Sequence, residues 1–282
     1  MKKTIVITGV STGIGFATAQ TLIARGYRVF GSVRKAADAE RVQKALGSSF
    51  TALLFDVTDT DGLAAAVAQV QAAVGEQGLA GLINNAGVAG SAPLMHVPMQ
   101  EVRQVFDINV FGLLAVTQAF LPLLGARAGT THAPGRIVNL SSISGGLVFP
   151  LVSVYAASKH AVEAFSDGLR RELSIYGIQV SMLEPGVIKT PIWDKGNTPE
   201  ADLRYASTDY GQAMAAQPTM FAKELEKAKP ISVVTDAIVH ALEARQPKAR
   251  YVLIGMWHIR KFIPTRWLDA LLANLSGLKP TR

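Results

Sequence analysis

Short apolar runs alternate with amphipathic stretches along most of the chain. The runs are rich in β-branched residues and predict seven strands, at residues 4–8, 28–33, 51–55, 79–83, 136–140, 178–183 and 251–254. Between them, apolar residues recur three and four positions apart. This spacing predicts helices at residues 15–25, 59–74, 99–124, 153–176 and 232–244.

The predicted strands are almost continuously apolar, and most are followed by a helix. That order indicates a parallel sheet that is covered on both faces. The fold class is therefore α/β, a doubly wound, mostly parallel seven-stranded sheet. Residues 186–230 break the alternation with four prolines, which favours a long loop or lid near a strand end, where such sheets bind ligands.

The composition favours a globular protein and excludes several kinds of site. The chain has 282 residues, 49% of them hydrophobic and 17% charged, which favours a large buried core over disorder. There is no cysteine, so disulfides, thiolate metal sites and thiol nucleophiles are excluded. The first apolar run follows Met-Lys-Lys but enters a glycine-rich turn without a cleavage pattern, so we interpret it as a buried strand.

Charge and histidine spacing bear on partners and metals. The formal net charge is +7, yet no basic stripe with stacking aromatics is visible, so we expect no nucleic-acid partner. The five histidines lack a metal-ligand spacing such as His-x-x-x-His, and we expect no metal.

The basic C-terminal tail has two interpretations. It could rest on a membrane or another subunit as an amphipathic helix, or it could pack on its own domain or across an oligomer interface. It has no apolar stretch long enough to span a bilayer, which needs about 18 residues. The residues concerned are Trp257, Arg260, Lys261, Phe262, Arg266, Trp267, Leu268, Leu271 and Leu272.

A glycine-rich turn follows the first strand and precedes a helical pattern. Glycines allow close approach of the backbone to a ligand, and free N–H groups at a helix start favour phosphate. The spacing is Gly-x-x-x-Gly-x-Gly, which differs from the Gly-x-Gly-x-x-Gly fingerprint. The candidate phosphate-binding residues are Gly9, Ser11, Thr12, Gly13, Ile14 and Gly15.

The end of the second strand predicts the coenzyme. An acid there would bind the ribose hydroxyls of NAD, but Val33 occupies that position, followed by Arg34. The Arg34 guanidinium could hold the 2′-phosphate of NADP, with a hydrogen bond from Ser32. The alternative is an arginine that only faces solvent.

Tyr155 and Lys159 stand four residues apart, so on a helix they share one face. A tyrosine has a pKa of about 10 and needs a neighbouring positive charge to act as a base at neutral pH. Lys159 could supply that charge. Taken alone, the pair is also compatible with an ordinary solvated helix.

Together these motifs resemble the short-chain dehydrogenase/reductase family over roughly the first 190 residues, with a Rossmann-type fold. Ser142 stands thirteen residues before Tyr155, as the family's catalytic serine does. Asn109 is similar to the family's helix asparagine. Further positions that match the family's cofactor-binding motifs are Asp56, Val57, Asn84, Asn85, Ala86, Gly87, Pro185, Gly186, Val187, Ile188 and Thr190.

The resemblance implies a mechanism. Tyr155 is expected to be the acid/base, with Ser142 bonded to the reacting oxygen and Ser141 as the less favoured alternative. Lys159 is expected to lower the phenol pKa and hold the nicotinamide ribose, and Asn109 to hold a water chain, unless it only kinks its helix. NADP(H) is the preferred cofactor, with NAD(H) also allowed.

The tail is similar to the steroid, retinol and 3-hydroxybutyrate dehydrogenase branch, and we expect a hydrophobic alcohol or ketone as substrate. The implied protein is a cytoplasmic homodimer or homotetramer of one domain: core 1–190, lid 191–230 and C-terminal part 231–282. The alternative is a cofactor-sensing or membrane-surface protein. The candidate pocket wall, which could equally be plain core, is Phe149, Pro150, Leu151, Val152, Ile192, Trp193, Met214, Met220 and Phe221.

Overall fold

The computed structural model describes residues 2–190, 203–254 and 263–278. Within these ranges seven strands form one sheet in the order β3-β2-β1-β4-β5-β6-β7, and all pairings are parallel. The predicted sheet is confirmed. The strands are β1 Thr4–Ile7, β2 Arg28–Val33, β3 Phe50–Leu54, β4 Gly81–Asn84, β5 Arg136–Leu140, β6 Gln179–Glu184 and β7 Arg250–Val252.

Helices cover both faces of this sheet. Leu22 and Ile238 pack in one apolar layer, whereas Val70 and Phe120 pack in the other. The α-helices are α1 Gly13–Ala24, α2 Ala36–Leu46, α3 Thr60–Val74, α4 Met99–Phe106, α5 Leu113–Phe120, α6 Ser153–Glu172, α7 Gly211–Glu226, α8 Ser232–Glu243 and α9 Thr265–Leu275.

The strand order reverses between β1 and β4. The chain runs outward from β1 to β3 and then returns to place β4 on the other side of β1. A crevice opens beyond the carboxyl ends of the strands at such a switch point. This topology fixes where a ligand site is expected.

The predicted helix at residues 99–124 is broken in the structure. A π-helical turn, Asp107–Gly112, separates α4 from α5, and a 3-10 turn, Leu121–Leu124, ends the segment. Gly112 packs tightly at the π turn, since a Cβ there would lie 2.7 Å from Val57 Cγ2. Such turns are frequent at functional sites.

The same segment has the length and composition of a membrane-crossing helix. Among the residues that the structure describes, Met99–Leu124 is the one helix that passes this test, with a mean hydropathy of 1.5 over its most apolar window. Half of that window is buried inside the protein, and Val116 and Phe120 have no exposed surface. It is therefore a core helix of this fold.

Two further helices differ from the sequence prediction. The periodicity did not predict α2, which buries only Val42 and is otherwise polar. The proline-rich segment contains α7, which runs through Pro218 for 16 residues. Tertiary packing of α7 through Ala213 and Met214 overrides the weak local signal.

The tail contains α9, as the amphipathic pattern indicated. Leu272 is buried, whereas Trp267, Leu271 and Leu275 are exposed. Trp257, Arg260, Lys261 and Phe262 lie outside the described residues, so the membrane interpretation of the tail stays a prediction.

Candidate active site

The glycine-rich turn after β1 is shaped by its lack of side chains. Gly9 and Gly13 adopt positive φ angles of 70° and 61°, which favour glycine. A Cβ at Gly15 would lie 2.2 Å from Gly9 O, so only glycine lets α1 start this close to the turn. Gly15 therefore allows the start of α1 to pack directly against the turn.

Hydrogen bonds from three neighbouring elements hold the turn. Ser32 Oγ accepts from Gly9 N at 2.9 Å, and Asn85 Nδ2 donates to Thr8 O at 2.8 Å. Arg41, on α2, donates to Ser11 O at 2.7 Å. Ser32 Oγ is the acceptor in this bond, so its hydroxyl proton is left to donate, and the phosphate contact stays a prediction.

The end of β2 presents a cation to solvent. Val33 is buried, whereas 64% of the Arg34 side chain is exposed. Arg34 Nη1 lies 3.6 Å from Asp56 Oδ2, a loose ion pair. Asp56 also accepts from Thr58 N at 3.1 Å, which fixes its carboxylate at the rim. Arg34 thus remains able to turn toward an anion.

A cleft of about 510 Å³ runs from this rim to Tyr155. Of the candidate residues, Gly15, Asn84, Asn109 and Val187 lie outside its lining. Lys35, Val88 and Ile108 line it without having been predicted. The candidate residues that line it are Gly9, Ser11, Thr12, Gly13, Ile14, Ser32, Arg34, Asp56, Val57, Asn85, Ala86, Gly87, Ser142, Tyr155, Lys159, Pro185, Gly186, Ile188 and Thr190.

Tyr155 and Lys159 stand on one face of α6 at the inner end of the cleft. The ammonium of Lys159 lies 5.8 Å from the centre of the Tyr155 ring and donates to Leu140 O at 2.8 Å. Burial lowers the pKa of Lys159 to about 8, and the Glu163 carboxylate opposes this shift. The pair therefore occupies a desolvated site rather than a solvated helix face.

The phenol of Tyr155 shifts opposite to the prediction. Burial raises its pKa, and the side-chain hydrogen bond with Ser142 only partly opposes that shift. Lys159 had been expected to lower this pKa. In the structure desolvation dominates, so Tyr155 keeps its proton at neutral pH while remaining partly accessible from the cleft.

The two adjacent serines at the end of β5 have different partners. Both serines line the cleft, but Ser142 is in extended backbone, its Oγ accepts from Ser144 N at 3.1 Å, and its side chain acts to lower the pKa of Tyr155. Ser141 Oγ donates to Glu163 Oε1 at 2.7 Å, in a buried contact. This geometry supports the choice of Ser142 over Ser141 as the serine that faces a reacting group.

Asn109 lies in the π turn and is almost fully buried. Its side chain accepts from Val88 N at 2.8 Å and donates to Val88 O and Ser158 Oγ. The side chain thus ties the loop after β4 to α6, below the cleft. A role in a water chain stays a prediction.

The wall before Tyr155 includes an unusual backbone conformation. Leu151 has a φ of 68°, which bulky side chains rarely adopt, and it packs with Met214 and Tyr205. Met220 and Phe221, on α7, are half-buried. Ile192 and Trp193, also proposed for this wall, lie outside the described residues.

Known proteins share this fold and these motifs. The family model for short chain dehydrogenase matches residues 3–201. An NADPH-dependent 3-dehydrocapnine reductase of Ornithobacterium rhinotracheale is 42% identical over 94% of each chain. The 17-beta-hydroxysteroid dehydrogenase type 6 of Rattus norvegicus is 35% identical over 99% of this chain and 90% of its own.

A solved structure agrees with these matches. A short-chain dehydrogenase from Streptomyces avermitilis superimposes with a TM-score of 0.75 at 30% identity, over 98% of this chain and 96% of that one. The predicted resemblance, including that to the steroid branch, is confirmed. The chain belongs to the short-chain dehydrogenase family, the oxidoreductases that interconvert CH–OH and carbonyl groups with NAD(P).

Proposed function

We propose that the protein is an NADP(H)-dependent oxidoreductase that interconverts a hydrophobic secondary alcohol and its ketone. The observation that carries this proposal is the convergence of Ser142, Tyr155 and Lys159 at the inner end of one cleft, whose outer rim carries Arg34. Ser142, Tyr155 and Lys159 suit proton transfer to an oxygen atom, and Arg34 suits the binding of a phosphate.

The residues of the cleft fit a dinucleotide. The turn of Gly9, Gly13 and Gly15 leaves bare backbone at the start of α1, where phosphate is favoured. A Cβ at Gly87 would lie 3.1 Å from Asn109 Oδ1 and 3.7 Å from Lys159 Nζ, so glycine there lets the loop after β4 approach both side chains closely. When bound, the nicotinamide supplies or accepts the hydride.

Tyr155 is the proposed proton donor in the reducing direction. Because burial raises its pKa, the phenol holds a proton that it can donate to the carbonyl oxygen of a bound ketone. The Ser142 hydroxyl is placed to hydrogen-bond the same oxygen as negative charge develops on it. In the oxidising direction, Tyr155 would accept the hydroxyl proton of the alcohol, and Ser142 would orient the same oxygen.

Lys159 is the proposed electrostatic partner. Its ammonium sits behind Tyr155, where its charge stabilises the phenolate that remains after proton donation. Its contact with Leu140 O fixes the ammonium at the end of β5, beside Ser142. Asn109 secures the loop that borders this point, since it bonds both the N–H and the carbonyl of Val88.

The preference for NADP(H) follows from the outer rim. Buried Val33 offers no carboxylate for the ribose hydroxyls, and exposed Arg34 offers a guanidinium for a 2′-phosphate. Lys35 adds a second cation on the lining. The relative that is 42% identical is named as NADPH-dependent, which supports the same preference.

A hydrophobic substrate is favoured by the apolar cluster around Leu151 and Met214, which packs against the segment that leads into Tyr155. One relative is named for a hydroxysteroid and another for 3-dehydrocapnine. Neither name fixes the substrate of this chain. We propose the class only, a lipophilic ketone or secondary alcohol.

The test is a coenzyme and substrate panel. Wild-type protein should oxidise NADPH with steroidal, aromatic or long aliphatic ketones, and use NADH more poorly. Tyr155→Phe should lose on the order of a hundredfold to ten-thousandfold in turnover. Tyr176→Phe, the same change at an exposed tyrosine, is the control and should retain activity. Equal turnover in the two variants would refute the proposal.

A further inference from the structure

A cluster of charges lies directly behind the candidate active site. Arg250, on β7, forms ion pairs with Glu163 and with Glu184, at 2.8 Å for the latter, and approaches Asp167 at 3.5 Å. Glu163 and Glu184 are buried. None of these residues was singled out by the sequence motifs.

One oxygen of Glu163 reaches the strand end that carries Ser142. Glu163 Oε1 accepts from Ser141 Oγ at 2.7 Å, and Ser142 is the next residue. Gly145 makes room for this contact, because a Cβ there would lie 2.5 Å from Ser141 Oγ and 2.7 Å from Glu163 Oε1. The turn after Ser142 is thus built around the Ser141–Glu163 hydrogen bond.

The charge of Glu163 acts on a second site residue. Tyr155, Lys159 and Glu163 are spaced by four residues on α6 and share one helix face. The pKa of Lys159 is lowered by burial, and the Glu163 carboxylate is the group that opposes the shift. Glu163 therefore favours the charged form of Lys159.

Stability alone is a poor explanation for such a cluster. Removing the carboxylates of Glu163 and Glu184 from water is costly, and ion pairs with buried groups often contribute little net stability, even though Arg250 itself remains partly exposed. Burial accordingly raises the pKa of Glu163, and Glu184 adds to that shift, whereas Ser141 and Arg250 oppose it. Ser141 and Arg250 together thus favour a carboxylate at this position.

We propose that Glu163 is a positioning residue of the active site: anchored by Arg250, it fixes the Ser141–Ser142 strand end and places a negative charge behind Lys159. The inference rests on the proposed roles of Ser142, Tyr155 and Lys159. The charged and titratable groups around Glu163 are Lys159 and Asp167 on its own helix, Glu184 on β6 and Arg250 on β7.

The first test compares Glu163→Gln with Glu172→Gln. Glu172 lies on the same helix but is exposed, so it receives the same chemical change away from the site. Glu163→Gln should lower kcat on the order of tenfold to a hundredfold, since small misplacements of reacting groups have effects of that size. Its alkaline loss of activity should begin at lower pH, because neutral Lys159 is favoured once the carboxylate is gone.

Two further variants separate charge from position. Glu163→Asp keeps the charge but draws the carboxylate back from Ser141, and Ser141→Ala removes the hydrogen bond alone. Both should lower kcat while retaining the wild-type pH profile. Wild-type kcat in both variants would contradict the positioning role.

A measurement on the cofactor-free protein makes the test independent of turnover. Carbon-13 NMR of protein labelled at lysine Cε, with Lys159 assigned by Lys159→Met, should show Lys159 titrating near the pKa of about 8 that burial imposes. In Glu163→Gln it should titrate at lower pH, and in Glu172→Gln it should not move. An unchanged titration and pH profile in Glu163→Gln would overturn the proposal, whereas retained turnover in Tyr155→Phe would instead overturn the proposed function.

Discussion

The outer and inner ends of the cleft are built by different physical means. At the outer end Arg34 and Lys35 stand in solvent, with only a loose contact between Arg34 and Asp56. At the inner end Ser142 and Lys159 are buried, and their polar atoms have fixed partners. The difference predicts that coenzyme choice is easily altered by mutation and sensitive to salt, whereas the proton-transfer end tolerates little change.

The largest effect among the following changes is expected for Ser142→Ala at the inner end. If Ser142 bonds the reacting oxygen as proposed, removal of its hydroxyl should reduce kcat on the order of a hundredfold or more, with little change in NADPH binding. Steady-state kinetics and NADPH fluorescence titration measure the two quantities. Comparison with Ser141→Ala sharpens the distinction, since the Ser141 hydroxyl is engaged with Glu163 and its loss should cost less activity.

Gly15→Ala tests the turn that joins the two ends. The added Cβ would lie 2.2 Å from Gly9 O and 2.5 Å from Asn85 Nδ2, so the turn must shift. We expect a loss of about 1–3 kcal/mol in the free energy of unfolding and weaker NADPH binding. Urea denaturation and fluorescence titration are the measurements. Gly90→Ala, where a Cβ meets no atom within 4 Å and φ is not positive, is the matched control for the same substitution without a clash.

Arg34→Ala should alter coenzyme choice while leaving the chemistry intact. Loss of a hydrogen bond to a charged group is worth about 1.5–3 kcal/mol, which raises the KM for NADPH about tenfold to a hundredfold. The KM for NADH should stay nearly constant. The wild-type preference should also shrink at high salt, because Arg34 is exposed. An unchanged ratio of NADPH to NADH efficiency would contradict the coenzyme assignment.

The smallest effect is expected for Tyr205, which packs in the apolar cluster with Leu151 and Met214. Tyr205 is buried, yet its hydroxyl has no hydrogen-bond partner among the residues that the structure describes. Tyr205→Phe should therefore change the free energy of unfolding by less than about 1 kcal/mol, or increase it. Tyr251→Phe is the matched control, since its hydroxyl bonds His240 and Lys248 N and its removal should be destabilising. Equal losses in the two variants would show that Tyr205 has a partner in solution.

Sequence reasoning predicted the cofactor half well, because its signals are local. The pattern of apolar runs predicted the strands of the sheet, and the spacing of the glycines predicted the turn at Gly9 and Gly13. The spacing of Tyr155 and Lys159 placed both on one helix face. Each of these features depends on a few consecutive residues.

The remaining features depend on distant contacts. The bond from Gly9 N to Ser32 Oγ joins residues 23 positions apart, and no local motif predicted it. The pKa of Tyr155 was expected to be low because its neighbour is a lysine, but burial by the whole fold raises it. Glu163 could have been noticed as the next residue after Tyr155 and Lys159 in steps of four, whereas its partner Arg250 is 87 residues away.

The most direct test of the account is the single-turnover rate of Tyr155→Phe with NADPH and a reactive ketone, each at saturation. The account predicts that this rate falls on the order of a hundredfold to ten-thousandfold below wild type. NADPH binding, measured by fluorescence, should remain intact in the same variant, because the phenol acts on the substrate oxygen. A rate within about threefold of wild type with intact binding would show that Tyr155 is not the proton donor.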